Sequence, residues 1–249
     1  MENTMTLTLK VWRQNGPQET GRFETYEVNE ISPDMSFLEM FDVLNENLTN
    51  DGEEPVEIAS DCREGICGTC GCMINGKAHG PEKATATCQL HMRKFSDGDT
   101  IIVEPWQAAS FPVIKDLVVD METFFESYKK VMPYLVNDEE PGERERLQSP
   151  EDRDKFEDTT KCILCAACTT SCPVFWTADT YVGPAAIVNA HRFVFDSRDN
   201  ASKQRLEILK DVNGAFRCRT AFNCTTACPR GIQVTKAIED IKRETLTIN

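Results

Sequence analysis

Alternating apolar and polar residues open the chain. Leu7 to Trp12 (Leu-Thr-Leu-Lys-Val-Trp) and Phe23 to Val28 (Phe-Glu-Thr-Tyr-Glu-Val) both repeat with period two. That period, carried by β-branched and aromatic residues, predicts a pair of strands. Asn15-Gly16-Pro17 supplies the turn between them. The period then lengthens. Phe37, Leu38, Phe41, Leu44 and Leu48 fall at helical spacing, with Asp34 or Ser36 placed to cap the helix. A glycine-rich loop follows, and Ile101-Ile102-Val103 predicts a buried strand. These elements predict an α+β architecture whose first domain, residues 1–115, is of the β-grasp kind.

Past residue 115 the pattern is helical. Leu117, Val118, Met121, Phe124, Phe125, Tyr128 and Met132 predict a helix across 117–134. Residues 136–158 are charged and contain proline, which predicts a linker and a surface helix. Ala185–Phe195, Ser202–Val212 and Val234–Leu246 are further helix candidates. The second domain, 116–249, is therefore expected to be all-α.

The candidate chemistry lies in the cysteines. One spacing occurs twice: Cys162, Cys165, Cys168, Cys172, Pro173, and then Cys218, Ala221, Cys224, Cys228, Pro229. This is the bacterial-ferredoxin run, in which the fourth cysteine of each copy ligates the cluster of the other. The rule assigns Cys162, Cys165, Cys168 and Cys228 to a 4Fe–4S cluster. Cys172, Cys218 and Cys224 are left with Ala221, whose methyl group cannot ligate iron, so a 3Fe–4S cluster is expected there. Pro173 and Pro229 turn the chain after each crossing ligand. The competing reading of the second run is a degenerate copy that binds nothing.

A third site has different spacing. Cys62, Cys67, Cys70 and the distant Cys88 fit the plant-type pattern for 2Fe–2S. Gly65, Gly68 and Gly71 allow the backbone to approach the metal closely. Cys72 competes with Cys70 as third ligand, but the two-residue gap fits Cys70, so Cys72 reads as a packed thiol. His79 and His91 read as surface histidines rather than ligands or proton carriers. The metal ligands expected are thus Cys62, Cys67, Cys70, Cys88, Cys162, Cys165, Cys168, Cys172, Cys218, Cys224 and Cys228.

Composition narrows the alternatives. Twelve cysteines in 249 residues suit neither a small exported disulfide scaffold nor the paired-ligand habit of structural zinc. The net charge of −14 argues against nucleic-acid binding. Residues 161–249 carry 12 basic and 8 acidic side chains, against 9 and 20 in residues 1–117. The basic half faces an acidic partner or a membrane surface, or is simply solvated. No apolar stretch is long enough to span a bilayer, and Met1–Thr8 lacks the pattern of a secretory signal. With no P-loop, dinucleotide fingerprint or Ser/His/Asp grouping, three clusters imply an electron conduit.

The order of the motifs resembles a known family. The Cys62–Gly68 loop, then Lys161-Cys162-Ile163-Leu164-Cys165-Ala166-Ala167-Cys168, then Ser171-Cys172-Pro173-Val174-Phe175-Trp176, then Cys218 to Pro229 is similar to the iron–sulfur subunits of succinate dehydrogenase and fumarate reductase. The resemblance covers nearly the whole chain. It implies a flavoprotein partner with FAD, where succinate and fumarate interconvert, and a membrane anchor with haem b and a quinone site. It also implies a peripheral position on the cytoplasmic face of a bacterial inner membrane, with the three-iron cluster last before quinone. In this family a non-cysteine residue commonly stands at the position of Ala221.

Trp176 falls where the family has a tryptophan near the quinone. Its indole N–H donates to a quinone oxygen or a water, or its ring packs against cluster and anchor. Arg219 stands where many ubiquinone-type members have histidine, and a cation there would raise the cluster potential and pair with a haem propionate. The long loop between Cys70 and Cys88 resembles members that use menaquinone and a two-haem anchor chain. A free-standing ferredoxin and a zinc-stabilised interaction module are the competing classes. The basic half and an exposed Phe175-Trp176 pair favour fixed partners.

Overall fold

Strict alternation makes the first strand a half-buried one. In the computed structural model, β1 (Met5–Arg13) buries every second residue from Met5 to Arg13. The structure describes residues 4–140, 142, 144–178 and 180–248. The N-terminal reading and the expected 136–158 linker fall partly outside them. β2 (Arg22–Ile31) runs antiparallel to β1, with Leu7 opposite Val28 and Leu9 opposite Tyr26. Helix α1 (Phe37–Asn50) follows. The short strands β3 (Met73–Ile74) and β4 (Lys77–Ala78) come next. β5 (Thr100–Glu104) lies parallel to β1, placing Ile101 beside Leu9 and Val103 beside Val11. The sheet order is β2-β1-β5-β3-β4.

Helix α1 begins with a full capping box. Ser36 Oγ accepts from Glu39 N at 3.2 Å, and Ser36 N donates to Glu39 Oε2 at 2.6 Å. Such a cap is worth about 1 kcal/mol. Of the two expected caps, Ser36 is the one used. Phe37, Met40, Phe41, Leu44 and Leu48 join the inward residues of β1 and β5 in one core. Each such side chain stabilises the fold by roughly 2 kcal/mol.

The chain divides into two compact units. The first comprises Met1–Asp120 with Ile163–Ala167, and the second Met121–Cys162 with Cys168–Asn249. The expected helix across 117–134 is shorter than its periodicity suggested. β6 (Val113–Lys115) and β7 (Val118–Val119) form a hairpin, and α2 starts only at Glu122 and ends at Lys130. Leu117 is buried in the core of the first unit, so its apolar character serves the sheet.

The second unit is helical. It holds α3 (Pro150–Asp154), α5 (Pro173–Thr177), α6 (Pro184–Val194), α7 (Ser202–Lys210), α8 (Asn223–Ala227) and α9 (Val234–Thr245); the short α4 (Ala167–Thr170) precedes α5. The three candidate helices appear as α6, α7 and α9. Helix α6 is buried along nearly its whole length, and α9 turns Val234, Ala237, Ile238 and Ile241 inward. The fully buried Arg205 pairs with Asp199 and donates to the carbonyls of Val131, Met132 and Tyr134.

Arg13 breaks the apolar face of β1, and a buried carboxylate explains it. Asp116 Oδ1 accepts from Arg13 Nε at 3.2 Å and from Gln14 N at 3.0 Å, and Oδ2 accepts from Glu57 N at 3.0 Å. Replacing Asp116 with alanine removes the buried counter-charge of Arg13, which keeps its bonds to Tyr26, Glu54 and Pro55, and leaves two backbone N–H groups without that acceptor. Asp116→Ala is expected to cost about 3 kcal/mol in urea unfolding, and Asp116→Asn less.

Candidate iron–sulfur centres

The first site is a loop pinned by its own N–H groups. Glu64 N donates to Cys62 Sγ at 3.4 Å and Thr69 N to Cys67 Sγ at 3.5 Å. The N–H groups of Glu64 and Ile66 draw the Cys62 thiol down to about 7, because they stabilise the thiolate. Gly65 and Gly68, at φ of 76° and 77°, make the turns that point those groups inward. Cys70 and Cys88 are buried together, with Ala86 and Leu38 in the same apolar cluster. Burial pushes the Cys70 thiol up to about 12. Cys72 is fully buried in the main core, as a packed thiol should be.

His79 is not the surface residue its loop suggested. It is 1% exposed. Its Nδ1 accepts from Thr87 N at 3.3 Å and lies 3.0 Å from Thr87 Oγ1. An accepting Nδ1 leaves the proton of the neutral ring on Nε2, which has no hydrogen-bond partner. The ring meets Trp106 edge-on, with centroids 5.3 Å apart, and so braces the segment that ends in Cys88. His91 is half-buried, and its backbone bridges to Ser36.

The two cubane runs share one backbone. Each begins after a short 3-10 turn, with Cys162 at φ −62°, ψ 126° and Cys218 at φ −60°, ψ 129°. Two residues on, Leu164 and Thr220 are left-handed, with φ of 57° and 56°. Four residues on, Ala166 and Phe222 repeat this, with φ of 63° and 61°. Each run closes with an extended cysteine before proline, Cys172 at ψ 115° and Cys228 at ψ 117°. Left-handed conformations cost non-glycine residues of order 1 kcal/mol each. They turn successive N–H groups toward an enclosed anion, and Thr220 N reaches Cys218 Sγ at 3.4 Å.

Cys172 from the first run meets Cys218 and Cys224 of the second. The three stand around a small cavity whose wall also includes Ala221, Tyr181 and Thr235. Thr235 Oγ1 lies 3.5 Å from Cys224 Sγ. Burial raises the Cys172 and Cys224 thiols. Burial likewise raises the Cys228 thiol. Asn189, held by the Ala185 carbonyl, directs its amide to Cys162 Sγ at 3.5 Å. No two of the twelve cysteines form a disulfide. Among the described residues no three His, Cys, Asp or Glu side chains converge on a single-ion site. Thiols ringing a cavity and receiving N–H groups fit a sulfide-bridged cluster.

One aromatic expectation is corrected. Phe175 is 2% exposed, so it belongs to the core and not to a docking pair. Trp176 is 51% exposed, but its indole N–H already donates to the Thr170 carbonyl. Arg219 is exposed and lines both the cysteine cavity and an adjoining cleft with Lys210 and Arg217. Sequence reasoning missed Tyr181, Thr235 and Asn189, because only the fold brings them to the sulfurs.

The profile of the 2Fe-2S iron-sulfur cluster binding domain matches residues 8–126, and that of the 4Fe-4S dicluster domain matches residues 154–229. The chain is 43% identical over 192 residues to the succinate dehydrogenase iron-sulfur subunit of Coxiella burnetii, covering 77% of each. It is 38% identical over 196 residues to that of Paracoccus denitrificans, covering 78% of this chain and 72% of the other. Among solved structures it is similar to a chain of the Mycobacterium smegmatis Sdh1 complex in the apo form. The TM-score is 0.82 at 26% identity, over 97% of this chain and 96% of that one.

Burial lowers the His79 pKa to about 4. The folded protein therefore resists a proton that the unfolded chain accepts near pH 6.5. Its contribution is fully present above that value and is lost as pH falls toward 4, on the order of 3 kcal/mol in all. Urea midpoints measured between neutral pH and about pH 5 should decline less steeply in His79→Gln than in the parent protein. Equal slopes would remove His79 from the account.

Proposed function

The chain belongs to the iron–sulfur subunits of succinate dehydrogenase, and from that premise we propose how its cysteines divide the work of electron transfer in that enzyme. Cys62, Cys67, Cys70 and Cys88 hold the 2Fe–2S cluster within residues 1–115. Cys162, Cys165, Cys168 and Cys228 hold 4Fe–4S, and Cys172, Cys218 and Cys224 hold 3Fe–4S, within residues 116–249. Such clusters take up and release single electrons at potentials set by their ligands and surroundings. Family membership displaces the free-standing ferredoxin and the zinc module as readings of this chain.

One observation carries the three-iron assignment. The second run keeps the left-handed turns of the first at equal offsets, while Ala221 stands in the cavity wall with three cysteines. A run that had lost its ligand role would not need to retain that costly backbone. The chain's own groups do the positioning. The N–H groups of Glu64, Thr69 and Thr220, together with the Asn189 amide, face ligand sulfurs. They favour the more negative, reduced state of whatever those sulfurs bind.

The partners follow from the same premise. One is a flavoprotein with FAD, where succinate is oxidised; the other is a membrane anchor with haem b and a quinone, menaquinone by the resemblance of the Cys70–Cys88 loop. No helix among the described residues is long and apolar enough to cross a membrane; the peripheral position on the cytoplasmic face of the inner membrane rests on the family resemblance. The exposed Trp176 ring, Arg219, and the cleft with Lys210 and Arg217 suit the anchor side. With its N–H bound to Thr170, Trp176 packs against a partner rather than donating to quinone.

Iron analysis of the intact complex, less the haem iron counted separately from the haem spectrum, should give about nine atoms, the sum of two, four and three. The oxidised protein should show a three-iron EPR signal that disappears in Ala221→Cys as a fourth thiolate completes the site. A signal that survives this substitution sinks the allocation.

A further inference from the structure

The cavity of Cys172, Cys218 and Cys224 contains a hydroxyl that nothing in the protein uses. Tyr181 is fully buried, lines this cavity, and its phenolic oxygen has no hydrogen-bond partner. A buried, unpaired hydroxyl costs about 1–3 kcal/mol. Such groups in native proteins usually mark a missing partner.

Its position is fixed from both sides. Tyr181 N donates to the Ala178 carbonyl at 3.0 Å, and Val182 N donates to the Asn213 carbonyl at 3.0 Å. Gly183, at φ 84°, then starts α6. The main chain that carries the phenol is pinned by these bonds.

The other hydroxyls on the cavity are already committed. Thr235 N donates to Thr225 Oγ1 at 2.9 Å, and the two threonine hydroxyls are 2.9 Å apart. A thiolate at Cys224 can only accept. Thr235 therefore donates to Cys224 Sγ, and Thr225 donates to Thr235. Both threonine protons are spent, and Tyr181, which lines the same cavity, keeps a buried O–H without a partner.

We propose that Tyr181 donates its phenolic O–H to the iron–sulfur group held by Cys172, Cys218 and Cys224, and that it raises the reduction potential of that group. This rests on the three-iron assignment above. A hydrogen bond to cluster sulfur stabilises the reduced form, which carries the extra negative charge. Tyr181 is a positioning residue here: it tunes the site and does not ligate iron.

The test is a redox titration of the assembled complex, followed by EPR, in the parent protein and in Tyr181→Phe. Phenylalanine keeps the ring in its place, so all three clusters should load. The three-iron signal should titrate at a lower potential, with the other two clusters unmoved. In the parent protein, electron–nuclear double resonance on this signal should detect an exchangeable proton that disappears in heavy water. Tyr181→Phe should lose the same coupling. If the parent lacks a three-iron signal, the assignment and this proposal fall together. If the signal is present but has no exchangeable proton coupling, the Tyr181 role alone falls. It also falls if the variant keeps both coupling and potential, because a buried water would then be the donor.

Discussion

Several sulfur ligands held in one small volume repel one another and repel the low-dielectric interior around them. The rest of the structure answers that constraint. The donors that offset it are mostly backbone N–H groups, and a backbone exposes consecutive N–H groups on one side only by leaving helix and strand geometry. The glycines of the first loop do this without strain. The cubane runs do it with Leu164, Ala166, Thr220 and Phe222, residues that pay for the conformation. The sheet of the first unit and the helices of the second then act as frames that keep these loops closed.

The presence of a 2Fe-2S domain and a 4Fe-4S dicluster domain was legible in the cysteine spacing, because such runs have fixed distances between neighbouring cysteines. Local elements were legible for the same reason: the alternation of β1, the stripe of α1, and the faces of α6, α7 and α9. What escaped depends on partners far away in sequence. Arg13 sits on an apolar face because Asp116 folds back to meet it. Leu117 follows a helical rhythm but is recruited to the sheet. His79 lies in a polar loop and is nevertheless buried under Trp106. Phe175 belongs to the core, while its neighbour Trp176 remains at the surface.

The duplicated run shows how chemistry can diverge on a fixed scaffold. The left-handed φ values at matched positions agree within a few degrees, while the closing cysteines differ in φ, −85° at Cys172 and −70° at Cys228, and one side chain differs where iron would be ligated. The side-chain environment differs as well. One run presents the Asn189 amide to a sulfur, and the other the hydroxyls of Thr225 and Thr235. The two runs thus differ in their side chains far more than in their left-handed turns.

The crossing of the fourth cysteines has a consequence for biogenesis. Cys172 stands with Cys218 and Cys224 around one cavity, and the proposed allocation returns Cys228 to the first run. On the proposed allocation neither site has its full set of sulfurs until both runs have been synthesised, so loading would wait for nearly the whole chain.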